Sequence, residues 1–93
     1  MIIDTTIDDR TLHEVYLWPF ARSVEAGVGT IMCSYNKLNG TYACENDHVL
    51  NGILKNELNF RGFVHSDWIA THSTVKAVNN GLDMSMYEQL PKI

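Results

Sequence analysis

The stretch GFVHSDW, from Gly62 to Trp68, combines an apolar strand pattern with two side chains that can do chemistry. A short apolar run that opens on a glycine predicts a buried strand, here one that delivers Asp67 and Trp68 to its carboxyl end. In α/β proteins, ligands bind at that end. A carboxylate beside a large ring suits carbohydrate chemistry, because the carboxylate stabilises positive charge at a sugar carbon and the ring packs on sugar C–H bonds. The alternative is an ordinary turn aspartate.

The composition restricts the size of the domain and the class of partner. The chain has 93 residues, of which 45% are hydrophobic and 19% charged, typical of one small globular domain. Its net charge is −4 with dispersed Lys and Arg, which argues against nucleic acid or an anionic membrane as a partner. The longest apolar run, Val15–Ala21, is far shorter than the roughly 20 residues of a membrane span. The first residues contain no basic region, so no signal peptide is expected in this chain.

Two motifs bear on whether the protein is exported. Cys33 and Cys44 either close a loop worth roughly 3 kcal/mol as a disulfide or are a buried thiol and an unrelated one. The second, simpler interpretation is preferred from the sequence. Asn39-Gly40-Thr41 is an N-glycosylation sequon in a turn-like stretch, which fits an exported eukaryotic protein.

Hydrophobic periodicity predicts helices that alternate with strands. Asp8 is the predicted N-cap of a first helix, which Pro19 should kink or restart. Residues 28–35 are rich in β-branched and aromatic side chains and predict a strand, and the polar residues 36–45 predict a loop. The apolar face of the first helix is predicted to comprise Leu12, Val15, Tyr16, Phe20 and Val24.

A second helix, the strand ending at Asp67 and a third helix complete the order. Asn46-Asp47 can cap the second helix, and the third begins at Thr71 or Ser73 and ends at Gly81. Residues 82–86 resemble another short strand. The core face of the second helix is predicted to comprise Val49, Leu50, Ile53, Leu54 and Leu58.

The predicted fold class is α/β, specifically a segment of a (β/α)8 TIM-type barrel with about three parallel strands and their helices. Alternating helices and strands imply parallel strands with right-handed crossovers, whereas a complete barrel needs eight such units and about 250 residues. Reactive residues of a barrel lie at the strand ends, here at residues 32–36, 66–68 and 83–86. Tyr35, Asp67 and Trp68 therefore converge on one mouth if the strands are neighbours.

Alternation along the first strand complicates one of these assignments. It would put Met32 and Tyr35 on opposite faces, so both can reach the site only if the strand ends or bulges near Ser34. Asp83 is interpreted as a structural acceptor and not a second catalytic acid.

None of the histidines His13, His65 and His72 is assigned to a metal site from the sequence. His65 is expected to be a core histidine with a satisfied hydrogen bond; the alternative is a charged imidazole that perturbs the ionisation of Asp67. His13 and His72 have no partners at ligand spacing, so the sequence predicts no metal site.

Several ordered motifs carry a family resemblance. MCSYNKLNG at 32–40, LNFRGFVHSDW at 58–68 and GLDM at 81–84 resemble the later half of the N-terminal barrel of glycoside hydrolase family 3, in particular its fungal-type β-glucosidases. LHEVYLWPF at 12–20 is similar too, so the match covers roughly residues 5–86. The resemblance implies that the whole chain, 1–93, is a fragment of that barrel domain.

The resemblance also implies an activity and its residues. Asp67 aligns with the nucleophile of a retaining, cofactor-independent, exo-acting glycosidase; Trp68 and Tyr35 match residues that shape the pocket for the non-reducing sugar, and Met32 matches an apolar contact there. The expected reaction removes terminal β-D-glucose from cellobiose-like or aryl glucosides. The alternatives are a β-xylosidase or exo-glucanase of the same family, or a non-catalytic remnant or sugar-binding piece.

Parts of the family's site do not align with any residue of this chain. The resemblance implies that the acid/base comes from a following domain and that the residues gripping sugar hydroxyls come from earlier strands. The expected partners are therefore a small carbohydrate and the remainder of the barrel, and the isolated chain is expected to be catalytically silent. The intact enzyme is expected to be secreted. From Tyr87 onward the chain departs from the family's usual proline and glycine.

Overall fold

The computed structural model describes residues 3–86, which form five short strands and a series of helical segments. The strands are β1 (Asp4–Thr5), β2 (Thr30–Met32), β3 (Lys37–Leu38), β4 (Thr41–Tyr42) and β5 (Phe63–His65). The helical segments are α1 (Asp9–Thr11), a π-type segment (Leu12–Tyr16), α2 (Trp18–Glu25), a 3₁₀ turn (Ala43–Glu45), the His48–Glu57 helix with π-type turns, and α3 (Val75–Asn79). The divergent stretch that begins at Tyr87 lies outside the described residues.

Strands β2 and β5 run parallel, and this pair positions the candidate site. Their register is Thr30–Phe63, Ile31–Val64 and Met32–His65. A single parallel bridge joins His65 to Met84 on the other side of β5. The predicted parallel pairing is confirmed for β2 and β5, but residues 82–86 contribute only that bridge. The first strand is also shorter than predicted, because the chain leaves the sheet after Met32.

Residues 36–45, predicted as a loop, form a hairpin and a 3₁₀ turn instead. β3 and β4 pair antiparallel, and β1 joins β3 in parallel. Asn39 and Gly40, between β3 and β4, have φ values of +51° and +89°. The loop prediction is wrong because Asn-Gly favours this two-residue turn despite the polar composition. The Asn39 side chain also accepts the Ile7 N–H (2.9 Å) and donates to the Ile7 carbonyl (2.8 Å); its glycosylation stays a prediction.

The first helix begins and restarts where the sequence predicts. Asp8 has extended backbone, and its carboxylate accepts the Thr11 N–H at 3.0 Å, which confirms the N-cap. That hydrogen bond lowers the pKa of Asp8. Pro19 lies in the first turn of α2, where its missing N–H removes no helical hydrogen bond, so the predicted restart is confirmed.

The His48–Glu57 helix supplies much of the core. Its residues Leu50, Ile53 and Leu54 are buried, which confirms the predicted face at these positions. Leu50 and Leu54 belong to the same buried cluster as Val64 of β5. Full burial of such a side chain stabilises the fold by about 1.5–3 kcal/mol, so this helix fixes β5 and, with it, the strand end at Asp67.

The apolar face of the first helix is only partly covered. Val15, Tyr16 and Phe20 are exposed. An apolar groove of about 730 Å³ lies between this helix, β2 and the His48–Glu57 helix. Side chains lining it include Leu12, Tyr16, Phe20, Ile31, Leu50 and Leu54.

Gly62 allows β5 to begin directly beside β2. A Cβ atom at this position would collide with the Gly29 carbonyl and the Phe60 ring. We expect Gly62→Ala to lower the free energy of unfolding by about 1–3 kcal/mol, because one of the two backbones must shift. Gly29→Ala is the matched control, since a Cβ there meets no atom within 4 Å. Urea unfolding followed by circular dichroism compares the variants; equal losses would contradict the close approach.

Histidine–carboxylate pairs join the first helix to the His48–Glu57 helix. His13 Nδ1 lies 2.7 Å from the Asp9 carbonyl and His13 Nε2 lies 2.8 Å from the Glu57 carboxylate. His48 Nε2 lies 3.0 Å from the Asp9 carboxylate. The Asp9 carbonyl and, next, the Glu57 carboxylate raise the pKa of His13 above its ordinary value.

The contribution of His13 to stability is expected to decline as the pH rises. Because folding raises its pKa, the contribution is complete below the unfolded value near pH 6.5 and is lost as the pH rises through the folded pKa. The effect is small, since exposed pairs are screened. The free energy of unfolding of His13→Gln and the unmodified chain, measured between about pH 5.5 and 8.5, should converge at high pH. A difference that is constant with pH would contradict the pairing.

Candidate active site

The carboxyl ends of the parallel strands lie side by side. Cys33, directly after β2, donates its N–H to the carbonyl of His65 at 2.9 Å. Ser66, directly after β5, donates its N–H to the carbonyl of Met84 at 3.0 Å. The three chain segments predicted to carry reactive residues therefore meet at one edge of the sheet.

Asp67 leaves this edge on the face opposite the core. Val64 and Ser66 are fully buried, whereas His65 and Asp67 between and after them are half-buried. Residues that alternate along an extended strand point to opposite faces, so His65 and Asp67 share the open face. Met32 lies on it too, because it pairs in register with His65.

Local hydrogen bonds orient Asp67. Its Oδ1 accepts the N–H of Trp68 at 2.7 Å. Its carbonyl accepts the N–H of Ala70 at 3.1 Å, which closes a turn over residues 67–70. A reactive carboxylate needs such a fixed orientation, since misplacement by about 1 Å can lower a rate about a hundredfold.

Polar contacts beneath Asp67 tie β5 to the segment after α3. Ser66 Oγ accepts the Met86 N–H at 2.9 Å. The Asp83 carboxylate accepts the Val64 N–H at 2.8 Å and pairs with Lys55 at 2.8 Å. Asp83 is therefore a structural acceptor, as predicted. Sequence interpretation missed Ser66 and Lys55, although a small polar residue at a core position of a strand was an available signal for Ser66.

A disulfide joins Cys33 to Cys44. The β3–β4 hairpin reverses the chain, so that Cys44 in the 3₁₀ turn returns to the end of β2, with a Cα–Cα distance of 5.2 Å. Both residues are buried. The preferred interpretation as two separate thiols is wrong, because a separation of 11 residues does not by itself reveal the reversal.

The other predicted site residues lie at the same strand ends. Met32 ends β2, Tyr35 follows inside the loop that the disulfide closes, and Trp68 follows Asp67. These three side chains are 52%, 53% and 57% exposed, respectively. Because β2 ends at Met32, strand alternation does not force Tyr35 to the opposite face. Contact of these side chains with one sugar stays a prediction.

The histidines near the site have protein partners. His65 Nδ1 lies 2.7 Å from Thr30 Oγ1, and the Thr30 hydroxyl donates to the Phe63 carbonyl at 2.9 Å. The expected hydrogen bond of His65 is therefore confirmed, but its expected core position is wrong, because His65 is half-buried on the open face. The His72 ring stacks on Tyr42 with a centroid distance of 3.6 Å. Within residues 3–86, no group of three or more His, Cys, Asp or Glu is arranged to hold a metal ion.

The apolar groove is not the catalytic candidate. Neither Asp67 nor Trp68 lines it. The carboxylate in its lining belongs to Asp8, which caps a helix. Glycoside hydrolysis needs a pair of carboxyl groups that flank the scissile bond, so the groove lacks the required chemistry.

Comparison with known proteins decides the family. The model of the glycosyl hydrolase family 3 N terminal domain matches residues 3–92. This chain belongs to glycosyl hydrolase family 3. Probable β-glucosidase L from Aspergillus terreus is 62% identical over 84 residues, which cover 90% of this chain and 11% of that protein.

Two solved structures of similar proteins share the fold of this segment. A β-glucosidase from Chaetomella raphigera has a TM-score of 0.88 and 58% identity over 91% of this chain and 12% of its own. The β-D-glucoside glucohydrolase from Trichoderma reesei has a TM-score of 0.89 and 56% identity over 90% of this chain and 12% of its own. The family 3 chain described here thus spans about a tenth of the length of these relatives. Among residues 3–86, no helix has the length and apolar character to cross a membrane.

Proposed function

We propose that this chain is the segment of a secreted, retaining β-glucosidase that carries the catalytic nucleophile, Asp67. The observation that carries the proposal is the position of Asp67: it follows the parallel strand β5, of which only Val64 is buried, and lies on the open face with its carboxylate held by the Trp68 N–H. Family membership and relatives named β-glucosidases support this assignment.

Two carboxyl groups take part in the proposed reaction. Asp67 attacks the anomeric carbon of a terminal β-D-glucosyl residue as the aglycone leaves, and the configuration at that carbon inverts. Water then attacks the glycosyl-enzyme, frees Asp67 and restores the β configuration. A second carboxyl group about 5 Å away protonates the leaving oxygen and later activates the water.

The acid/base is proposed to come from outside this segment. Asp83 is bound by Lys55 and by the Val64 N–H. Glu45 is buried and paired with Lys76 at 3.1 Å. A carboxylate held as an acceptor in this way is poorly suited to carry a proton to a leaving group.

Tyr35, Trp68 and Met32 are proposed to shape the pocket around the sugar. The Trp68 ring offers an apolar face to sugar C–H bonds. The Tyr35 hydroxyl can donate a hydrogen bond near the nucleophile, and Met32 supplies an apolar contact. Their exposure at the strand ends is consistent with contact to a ligand.

Residues 1–93 are proposed to contribute consecutive strands to a (β/α)8 barrel domain. The parallel arrangement of β2, β5 and the Met84 bridge supports this role. The uncovered apolar groove supports it too, because further barrel elements would exclude water from side chains such as Tyr16 and Phe20. The isolated chain is accordingly proposed to be inactive, since most of the sugar pocket and the acid/base are absent from it.

A chimera tests the proposed function. Residues 3–86 of this chain replace the matching segment of the Trichoderma reesei enzyme, which is 56% identical. We expect the chimera to hydrolyse an aryl β-glucoside faster than the aryl β-xyloside and to release β-glucose first, as followed by proton NMR. A folded chimera that hydrolyses neither substrate would contradict the proposal, and faster hydrolysis of the xyloside would assign the segment to a β-xylosidase.

A further inference from the structure

We propose that Ile69 is a specificity-determining residue that forms an apolar wall of the subsite for the leaving group. This inference rests on the proposed function, because it takes Asp67 as the nucleophile. Ile69 comes directly after Asp67 and Trp68, in the turn over residues 67–70.

The backbone of Ile69 is in a conformation that its side chain disfavours. Its φ is +66°, in the left-handed region, although isoleucine is β-branched. Positive φ crowds the Cβ atom against the carbonyl oxygen, so a β-branched residue there is uncommon. Ile69 is third in a four-residue turn, a position at which positive φ favours glycine or asparagine. Strained backbone conformations cluster at ligand sites, so the strain at Ile69 indicates that its side chain contacts a ligand.

Core packing does not account for an isoleucine at this position. Ile69 is 75% exposed and does not belong to the buried cluster of the fold. Glycine would relieve the strain without removing any core side chain. Ile69 and the adjoining Trp68 are instead two consecutive exposed apolar side chains directly after the strand end.

The position of Ile69 in the turn indicates which part of the substrate its side chain would contact. Asp67 has to face the anomeric carbon, and Trp68 is proposed to flank the sugar. Ile69 lies one residue further from the strand and is exposed to solvent, and we assign it on this basis to the side from which the leaving group departs. An apolar wall favours an aryl or alkyl aglycone over a second sugar, whose hydroxyl groups would lose hydrogen bonds to water.

The first test compares Ile69→Gly and Ile69→Ala in the chimera. Glycine removes both the side chain and the strain, whereas alanine keeps a Cβ at positive φ and removes the outer carbons. Both variants are expected to lower kcat/KM for nitrophenyl β-glucoside about three- to tenfold relative to cellobiose. Val28→Ala is the matched control, since it removes exposed apolar carbons (37% exposed) next to the amino end of β2, opposite the strand ends that carry Asp67, and the ratio should not change.

A step-resolved measurement separates this role from a structural one. The aglycone has left before the glycosyl-enzyme is hydrolysed, so the kcat for dinitrophenyl β-glucoside, limited by that second step, should be unchanged in both variants. The inhibition constant for glucose should also be unchanged. An equal fold-loss of kcat/KM for nitrophenyl β-glucoside and for cellobiose, which leaves the ratio of the two unchanged, would overturn the proposal.

A reciprocal substitution keeps the inference testable if the chimera is inactive. In a solved relative whose aligned residue is not isoleucine, introducing isoleucine there should raise the ratio of aryl glucoside to cellobiose kcat/KM about threefold or more. An inactive chimera together with this rise would contradict the proposed function of the segment but support the role of isoleucine in the turn. No rise would overturn that role independently of the chimera.

Discussion

Asp67→Ala in the chimera is expected to lower kcat for an aryl β-glucoside on the order of 10⁴-fold or more, because the covalent intermediate cannot form. Asp67→Asn should be similarly inactive. Its side-chain oxygen can still accept the Trp68 N–H, so this variant separates loss of the negative charge from loss of the turn. Initial rates with nitrophenyl β-glucoside, together with circular dichroism to verify folding, measure both variants.

Chemical rescue identifies the role of Asp67 more directly. Azide can occupy the space left by Asp67→Ala and attack the same carbon, which should restore turnover and yield the α-glucosyl azide. Asp83→Asn is the control, because Asp83 lies at the neighbouring strand end but binds Lys55 and the Val64 N–H. It should lower stability and leave kcat of the folded chimera largely intact. Retention of about a hundredth or more of the activity by Asp67→Ala would assign the nucleophile to another group.

Loss of the Cys33–Cys44 disulfide is expected to lower the free energy of unfolding by about 3 kcal/mol, because it releases a short closed loop in the unfolded chain. The variant combines Cys33→Ala with Cys44→Ala, since alanine introduces no polar group into the buried sites. Urea unfolding of the 93-residue chain with and without reductant makes the measurement. Reductant should shift the unmodified chain toward the double variant and leave the double variant unchanged.

The same disulfide is expected to affect the site through Tyr35. Tyr35 lies within the closed loop, two residues after Cys33. In the chimera, the double variant should therefore raise KM for an aryl glucoside more than it lowers kcat. An unchanged unfolding curve on complete reduction, verified by mass spectrometry, would contradict the stabilising role of the bridge.

Local patterns predicted several features of the helices, although α3 begins at Val75 and not at Thr71 or Ser73 as predicted. The Asp8 cap, the restart at Pro19 and the buried face of the His48–Glu57 helix all follow from residues within about one turn of each other. The alternation of helices and strands likewise implied the parallel β2–β5 pair. These features are predictable because each depends on short-range geometry or on a general rule of chain connectivity.

An unrecognised local turn and contacts between distant residues account for the errors. The β3–β4 hairpin joins residues whose polar composition indicates a loop, and it alone brings Cys44 back to Cys33. Strand lengths were also overestimated, because the point at which a chain leaves a sheet depends on its neighbours.

The sequence by itself determined the family resemblance and the alignment of Asp67 with a nucleophile, since ordered motifs with matching spacing persist in one dimension. Only the tertiary structure decided that Cys33 bonds to Cys44, that Asp83 binds Lys55 across 28 positions, and that Ile69 takes a positive φ. The physical reason is that burial, ion pairing and backbone strain depend on which distant residues meet, and that information arises only when the chain is folded.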